Sequence, residues 1–274
     1  MKVFISFDIE GVSGITDEKD IDEDSPGFEI ARRLSTGDVN AAVEGAVAAG
    51  AEEVVIYDGH GFKRNNILFE KLHPNARLVR SRLETPGFNM LGFDASYDAV
   101  FFVGWHARPS MPGVLSHCYH PEVFLEWRVN GVPVGEPELS AAFAGIHDVP
   151  IVFFTGDDCS CAEVKKWNPA CECVVTKIAI DRQSAMCFST DVTWEKIRLG
   201  AQKALENKDQ VKPFTFAMPV RIEADTIFDH HAAAISLIPG VRCVKPRTIA
   251  FESNDYREAF NALLAMTILS IYAK

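Results

Sequence analysis

Two apolar runs flank an alanine-rich segment near the start of the chain, and this arrangement restricts the folds that it can adopt. The runs VFISF (residues 3–7) and VVIY (residues 54–57) are almost entirely apolar, which predicts strands that are buried on both faces. DVNAAVEGAVAA (residues 38–49) has apolar residues at helical spacing and stops before Gly50, so it predicts a helix. A strand, a helix and a strand in this order predict a right-handed βαβ unit with parallel strands.

Similar strands recur further along the chain. AVFFV (residues 99–103) and IVFF (residues 151–154) are continuous apolar runs, and a further strand is expected at residues 173–178. LSAAFAGIHDV (residues 139–149) predicts a helix before the second of these runs. We therefore predict the α/β fold class, with a mostly parallel sheet and flanking helices.

The last third of the chain has a different character. Residues 193–208 predict an amphipathic helix, two strand-like segments follow, and YREAFNALLAMTILSIY predicts a closing helix. We expect a catalytic α/β domain at residues 1–190 and a smaller α+β subdomain at residues 191–274. Outside this pattern, Asn130-Gly131 between two short β-like runs predicts a hairpin.

The overall charge bears on the partners of the protein. The 274 residues include 27 Lys and Arg against 38 Asp and Glu, giving a net charge of −11. Nucleic acids and anionic membranes bind basic surfaces, so we expect neither as a partner. No signal peptide and no apolar run of membrane-spanning length is visible, and we expect a cytoplasmic protein.

The seven cysteines are an odd number, which favours free thiols over a disulfide framework. Two pairs, Cys159 with Cys161 and Cys171 with Cys173, have C-x-C spacing rather than the C-x-x-C of common zinc turns. We interpret them as buried thiols.

Polar side chains follow the predicted strands. In an open parallel sheet the carboxyl ends of the strands line one edge, and ligands bind in the crevice there. We therefore expect these residues to converge although they are distant in sequence. They are Asp8, Glu10, Asp58, His60, His106, Asp157 and Asp158.

The residue types in this group predict a metal centre. Asp8 and Glu10 are two residues apart, so on a strand they would face the same way and repel unless a cation lies beside them. Together with His60 and His106 they offer mixed oxygen and nitrogen ligands, which suit zinc or another first-row metal better than magnesium or calcium. A carboxylate able to bridge, among further ligands, indicates two metals.

Further candidates lie downstream or allow two interpretations. His117 is expected on a loop that returns over the same edge, and Glu136 precedes a predicted helix, where it could equally be an ordinary first-turn acid. Asp157 and Asp158 could equally cap a helix. Arg108 could meet a substrate carboxylate, although a structural ion pair is favoured.

One alternative class fits the first acids. An apolar strand followed by D-x-[acid]-G-V resembles haloacid-dehalogenase-type phosphohydrolases, which would make Asp8 a nucleophile in a magnesium-dependent reaction, with TGDD (residues 155–158) as the later acidic motif. Glu10, however, is one methylene longer than the usual general acid, and the histidines would have no role. We therefore favour the metal hydrolase.

Several ordered motifs resemble the DppA-type zinc-dependent D-aminopeptidase family. SFDIEGVSG (residues 6–14) resembles its S-x-D-x-E-G signature, and DGHG (residues 58–61) resembles its second-strand segment, with Gly59 in place of serine. GWHARPSMPGVLSH (residues 104–117) and NGVPVGEPELSAAFAG (residues 130–145) match in order and spacing. The resemblance covers nearly the whole chain, and the C-terminal third matches less closely.

This resemblance implies a zinc-dependent aminopeptidase that removes the N-terminal residue, of D configuration such as D-Ala, from short peptides with a free N-terminus. It implies two Zn²⁺ per subunit bridged by Asp8, a catalytic His117, and a homo-oligomer in the form of a ring-like decamer. The other metal ligands that it implies are Glu10, His60, His106 and Glu136.

Overall fold

The computed structural model describes residues 1–61, 65–81 and 88–272, and these form strands, helices and short 3-10 turns. In chain order the strands are β1 (Lys2–Phe7), β2 (Glu53–Asp58), β3 (Ala76–Val79), β4 (Ala99–Val103), β5 (Phe124–Val129), β6 (Val132–Val134), β7 (Ile151–Asp157), β8 (Glu172–Asp181), β9 (Ser184–Cys187), β10 (Val220–Thr226), β11 (Arg242–Lys245) and β12 (Thr248–Ser253). The helices are α1 (Glu18–Ile21), α2 (Phe28–Ala48), α3 (Glu136–Gly145), α4 (Asp158–Trp167), α5 (Thr190–Glu206), α6 (Asp229–Ile235) and α7 (Tyr256–Ser270). The 3-10 turns are Phe69–Lys71, Phe88–Met90 and Lys208–Gln210.

In this described part of the chain, one sheet has seven strands in the order β3-β2-β1-β4-β7-β8-β9. All neighbours pair in parallel except β8 and β9, which are antiparallel. The predicted βαβ unit is β1–α2–β2, in which Val3 pairs with Val54. The predicted α/β class with a mostly parallel sheet is confirmed.

Each face of this sheet packs against helices. On one face, Val3 and Ile5 of β1 share a core with α2 and α5, which also pack against each other. On the other face, Phe4 and Phe102 join a core that includes α3, α4, α7 and the second sheet. Strands buried on both faces explain the continuous apolar runs in the sequence.

The second sheet is antiparallel, with the order β11-β12-β10-β5-β6. The predicted hairpin joins β5 to β6, and Asn130 and Gly131 have φ angles of 52° and 80°, as the mirror-image hairpin turn requires. This sheet therefore combines residues 124–134 with residues 220–253. The division of the chain at residue 190 stays a prediction.

One local expectation differs from the structure. Helix α2 begins at Phe28, ten residues before the predicted start at residue 38. Gly37 lies inside the helix, and a Cβ there would lie 2.2 Å from the Trp194 ring, so this glycine serves close packing on α5. The acidic segment before α2 contains the short helix α1, which has no buried residue. None of the helices in the described ranges is long and apolar enough to cross a membrane.

Candidate metal centre

The segment that follows β1, residues 8–15, is here called the ligand loop. The sequence analysis treated Asp8 and Glu10 as residues of a strand. Strand β1 ends at Phe7, however, so both acids lie in the ligand loop. The Gly11 amide donates to the Gly104 carbonyl at 2.7 Å, and a Cβ on Gly11 would lie 2.1 Å from the Trp105 carbonyl oxygen. The glycine is required because the ligand loop passes directly against the chain that leaves β4.

The two acids of the ligand loop both face His60, which follows β2. Nδ1 of His60 is 3.0 Å from Oδ1 of Asp8 and 3.3 Å from Oε2 of Glu10. All three side chains are largely shielded from solvent. A tight turn, rather than the alternation of a strand, thus brings the two carboxylates to the same side.

His106 and Glu136 complete the opposite side of Asp8. Nε2 of His106 is 3.5 Å from Oδ2 of Asp8 and 3.4 Å from Oε1 of Glu136. The Nδ1 atom of His106 lies 2.9 Å from the Ala107 carbonyl, which can only accept, so Nδ1 carries a proton and donates. The Nε2 atom is thereby directed at the carboxylates. Glu136 is the first residue of α3, so it is both a first-turn helix acid and a member of this group.

His117 lies on the loop that returns over this edge of the sheet. Its ring stacks on the His106 ring with centroids 4.1 Å apart, and its Nε2 is 3.8 Å from Oε1 of Glu10. Its Nδ1 donates to the Leu115 carbonyl at 2.7 Å, which leaves Nε2 as the atom that faces the acids.

The ligand atoms fall into overlapping groups of three, within each of which all atoms lie within 4.8 Å of one another. One group joins Asp8, Glu10 and His60, and another joins Asp8, His106 and Glu136. Asp8 belongs to both. A third group joins Glu10, His106 and His117.

The electrostatics of the cluster reflect burial and close charges. Burial raises the pKa of Asp8 to about 7, and the Glu10 charge adds to this effect. Burial would also raise the pKa of Glu10, but attraction to His60 and the other histidines outweighs it and lowers that pKa well below its usual range. Burial opposes the charge on His106, yet its close approach to the Glu136 carboxylate raises its pKa to about 10. His117 differs, because burial and the neighbouring His106 both lower its pKa.

These residues fit a zinc centre on two grounds. The buried atoms Oε2 of Glu10 and Nε2 of His106 have no hydrogen-bond partner, although a buried polar atom left unpaired costs about 1–3 kcal/mol. Carboxylate oxygen and imidazole nitrogen are also the donors that zinc accepts in catalytic sites. A divalent cation would satisfy both atoms and would displace the protons that the cluster otherwise shares.

A cavity of about 280 Å³ opens onto this cluster. Its lining includes two residues that the sequence interpretation missed, Asn89 and His120. Asn89 donates from Nδ2 to Oε2 of Glu136 at 3.0 Å, and His120 contacts Ser270 at 2.6 Å through its Nδ1. His120 is only three residues beyond His117, a spacing that could have drawn attention to it. Asn89 carries no comparable sequence signal.

The other sequence candidates serve the surrounding structure. Asp58 accepts hydrogen bonds from the backbone amide and the carboxamide of Asn66 at 2.9 and 2.7 Å. Asn66 also donates to the His60 carbonyl, so Asp58 helps to hold the backbone of that histidine. Nε of Arg108 forms an ion pair with Oε1 of Glu163 at 2.6 Å, which is the favoured of the two interpretations.

The acids before α4 act as helix-terminal residues. Asp157 caps α4 through the Ser160 amide at 2.7 Å, and its other oxygen accepts from the Val114 amide at 2.6 Å, which anchors the His117 loop. Asp158 accepts from the Ala179 amide at 2.8 Å. The capping interpretation is therefore borne out for Asp157, whereas the Asp158 side chain bonds to strand β8.

The cysteines are free thiols, as expected. Cys161 and Cys171 are buried, as expected, whereas Cys159 and Cys173 are only partly buried. The first C-x-C pair lies on α4, and the second consists of Cys173 on β8 and Cys171 directly before that strand.

Taken with the fold, this cluster defines an α/β protein with a buried carboxylate–imidazole metal centre at the carboxyl edge of its parallel sheet. The D-aminopeptidase family, peptidase family M55, matches residues 1–265 of the chain. The chain therefore belongs to the D-aminopeptidase family, as the sequence motifs led us to expect.

Two relatives agree with this assignment. A D-aminopeptidase of Bacillus subtilis (strain 168) is 34% identical over 275 residues, which cover 99% of this chain and 98% of that protein. A solved structure, described as the Zn-dependent D-aminopeptidase DppA from Bacillus subtilis, a self-compartmentalizing protease, superposes with a TM-score of 0.95 at 32% identity, covering 99% and 98% of the two chains. Neither the family nor these relatives support the phosphohydrolase alternative.

Proposed function

We propose that this protein is a zinc-dependent aminopeptidase that hydrolyses the N-terminal residue, of D configuration such as D-Ala, from short peptides at a two-metal site. The observation that carries the proposal is the sharing of Asp8 between two groups of ligand atoms. In this assignment Glu10 and His60 would hold one zinc ion, His106 and Glu136 would hold the other, and Asp8 would be available to both. Membership of the D-aminopeptidase family supports the same reaction.

Zinc in such a site supplies a Lewis acid that polarises the scissile carbonyl and lowers the pKa of an attacking water towards neutrality. The protein supplies the proton transfer. Because the pKa of His117 is lowered and its Nδ1 proton is held by the Leu115 carbonyl, its Nε2 is free at neutral pH to take up a proton. The same atom then delivers a proton to the leaving amine.

The metals and the cavity would restrict the substrate. A free N-terminal amine has a lone pair that zinc could bind, whereas the nitrogen of an internal peptide bond offers none. A cavity of about 280 Å³ accommodates a short peptide rather than a folded chain. Both features favour cleavage at a free N-terminus.

Metal analysis joined to a dipeptide screen tests the proposal. We expect about two zinc ions per chain, loss of hydrolysis on chelation, and faster turnover of D-Ala dipeptides than of dipeptides with a matched L-Ala N-terminus. Equal turnover of the two forms would refute the stereochemical part. Magnesium-dependent phosphate release without peptide hydrolysis would refute the reaction itself.

We also propose that the chain assembles into a homo-oligomer that encloses its sites, in the form of a ring-like decamer. The description of the solved relative as a self-compartmentalizing protease and its TM-score of 0.95 support this assembly. The mass in solution, measured by light scattering, tests the proposal, because a monomer at micromolar concentration would contradict it.

A further inference from the structure

Lys177 on β8 is a fully buried lysine that sits directly beneath the ligand loop. Its Nζ donates to the backbone carbonyls of Glu10, Val12 and Ile15 at 2.5, 2.8 and 2.6 Å. An ammonium has three protons and no acceptor site, so these three carbonyls use all of its donors. A buried charge without partners would be strongly destabilising. The complete hydrogen bonding of Lys177 therefore indicates that its ammonium stabilises the backbone that it contacts.

The neighbouring residue reinforces the same contact. Thr176 is also buried, and its hydroxyl donates to the Gly11 carbonyl at 2.7 Å. Two consecutive side chains of β8 therefore hold four carbonyls of the ligand loop. In the sheet, β8 is separated from β1 by β4 and β7, so the loop crosses the ends of two strands to reach these donors.

The path of the loop makes this anchoring necessary. The Asp8 amide makes the last sheet hydrogen bond of this segment, to the Val103 carbonyl at 2.9 Å, although Glu10 must also present its carboxylate at a defined separation from that of Asp8. The carbonyl of Glu10 accepts from Lys177, while the side chain of the same residue faces His60 at 3.3 Å. Because this carbonyl is held, the peptide group next to the Cα atom of Glu10 cannot rotate freely. The direction of the Glu10 side chain is restricted in turn.

We infer that Lys177 is a positioning residue for the metal centre, whose buried ammonium holds the ligand loop so that Asp8 and Glu10 meet the metals in a fixed geometry. The inference rests on the proposed zinc function, because the metal is the group for which the geometry is set. Lys177 does not line the described cavity, and it acts through the backbone rather than on the substrate.

Replacing Lys177 by a neutral residue distinguishes a positioning role from a purely electrostatic one, because the two roles predict opposite changes in zinc affinity. A lysine ammonium near a cation site repels the cation, so if charge alone mattered, a neutral residue would tighten zinc binding. Positioning has the opposite consequence, because loss of the three hydrogen bonds releases the ligand loop. A weakening of zinc binding therefore supports the inference.

The test compares Lys177→Met with the wild type. We expect zinc affinity, measured by competition with a chromophoric chelator, to fall about 10- to 100-fold, the loss usual when a residue that orients metal ligands is removed. Amide hydrogen exchange of the metal-free protein should become faster in residues 8–15. Lys165→Met is the matched control, because Nζ of Lys165 also donates to the Pro169 and Cys171 carbonyls, away from the ligand loop, and it should change neither quantity.

The exchange measurement separates this inference from the proposed function. If the wild type binds no zinc, the proposed function fails, while exchange in the metal-free proteins still decides whether Lys177 holds the loop. Unchanged exchange in residues 8–15, or zinc binding by Lys177→Met that equals or exceeds that of the wild type, overturns the inference.

A second variant covers the case in which Lys177→Met does not fold. Lys177→Ala removes the equivalent of n-propylammonium, so we expect refolding with this amine to restore zinc binding and slow exchange in residues 8–15. 1-Propanol has a similar shape without the charge and should restore neither. Equal rescue by the two compounds, or rescue by neither, contradicts the inference.

Discussion

Nδ2 of Asn89 donates a 3.0 Å hydrogen bond to Oε2 of Glu136, so a carboxamide from the segment between β3 and β4 fixes an acid at the start of α3. The Tyr119 amide donates to the other oxygen of Glu136 at 2.7 Å. With a donor on each oxygen, the carboxylate cannot rotate freely, and its remaining lone pairs stay directed towards His106.

Replacing Asn89 by leucine, which has a similar volume and no donor, should weaken zinc binding about 10- to 100-fold without unfolding the protein. Chelator competition measures the affinity, and circular dichroism checks the fold. Asn75→Leu, at an exposed position outside the cavity, is the control. Wild-type affinity in Asn89→Leu would show that Glu136 is oriented without this hydrogen bond.

His117→Ala should lower kcat for dipeptide hydrolysis about 10²- to 10⁴-fold, the range for loss of a proton-transferring side chain. Zinc content should stay near the wild-type value, because five other ligand residues remain in the cluster. The exposed His230 provides a control, since His230→Ala removes an imidazole outside the cavity. Loss of zinc together with activity would instead make His117 a metal ligand.

Removal of zinc should lower the free energy of unfolding, because the buried charges of the cluster are then no longer balanced by the metal. Zinc at about 100 times its Kd stabilises a protein by about 2.7 kcal/mol, and chelation should remove this contribution. The folded pKa of Asp8, about 7, exceeds its ordinary value of 3.8, so its contribution to stability is present below pH 3.8 and is lost as pH rises through 7.

Asp8→Asn should therefore unfold at higher denaturant concentration than the wild type when both are metal-free at pH 8. With zinc present the order should reverse, because the variant lacks the shared ligand. Denaturant titrations with and without chelator measure both comparisons. A variant less stable than the wild type in chelator would contradict the electrostatic argument.

Glu138 offers a test of pH dependence at a buried residue that does not line the cavity. Burial, and then the Glu163 charge, raise the pKa of Glu138 to about 8. Its contribution to stability is thus present below its ordinary pKa of 4.5 and is lost as pH rises through 8. The free energy of unfolding should fall with pH by up to about 1.4 kcal/mol per unit more in the wild type than in Glu138→Gln, and the difference should level off above pH 8.

Glutamine still accepts the hydrogen bond that Glu138 receives from the Gly135 amide at 3.1 Å, so the start of α3 should be preserved. Urea titrations of both metal-free proteins between pH 5 and 9 measure the difference. Parallel pH profiles would mean that Glu138 is not the group that holds the proton.

Much of the sheet could be predicted from sequence because burial on both faces leaves a local pattern. Residues 99–103 match β4, and residues 54–57 fall within β2, since each run is apolar throughout. The start of α2 could not be predicted, because Gly37 is read locally as a break. Its role depends on Trp194, which is more than 150 residues away in the sequence.

The metal cluster was accessible to sequence reasoning because strand order places its members at one edge of the sheet. His60 and His106 follow β2 and β4, the two neighbours of β1, so topology alone brings them to Asp8. Asn89 and Lys177 could not be assigned in this way, because their roles depend on hydrogen-bond directions in three dimensions. The single lysine within the apolar run VVTKIAI was nevertheless a local indication of a buried and paired charge, because lysine is rarely buried without a partner.

The hairpin β5–β6 leads directly into α3, and β5 pairs with β10 near the end of the chain. Glu136, the first residue after this hairpin and its connecting glycine, therefore follows a strand that depends on β10 for its pairing. The other four ligand residues follow strands of the parallel sheet. The position of the last ligand residue thus depends on two chain segments that are distant in the sequence, and on a different sheet from the one that positions the others.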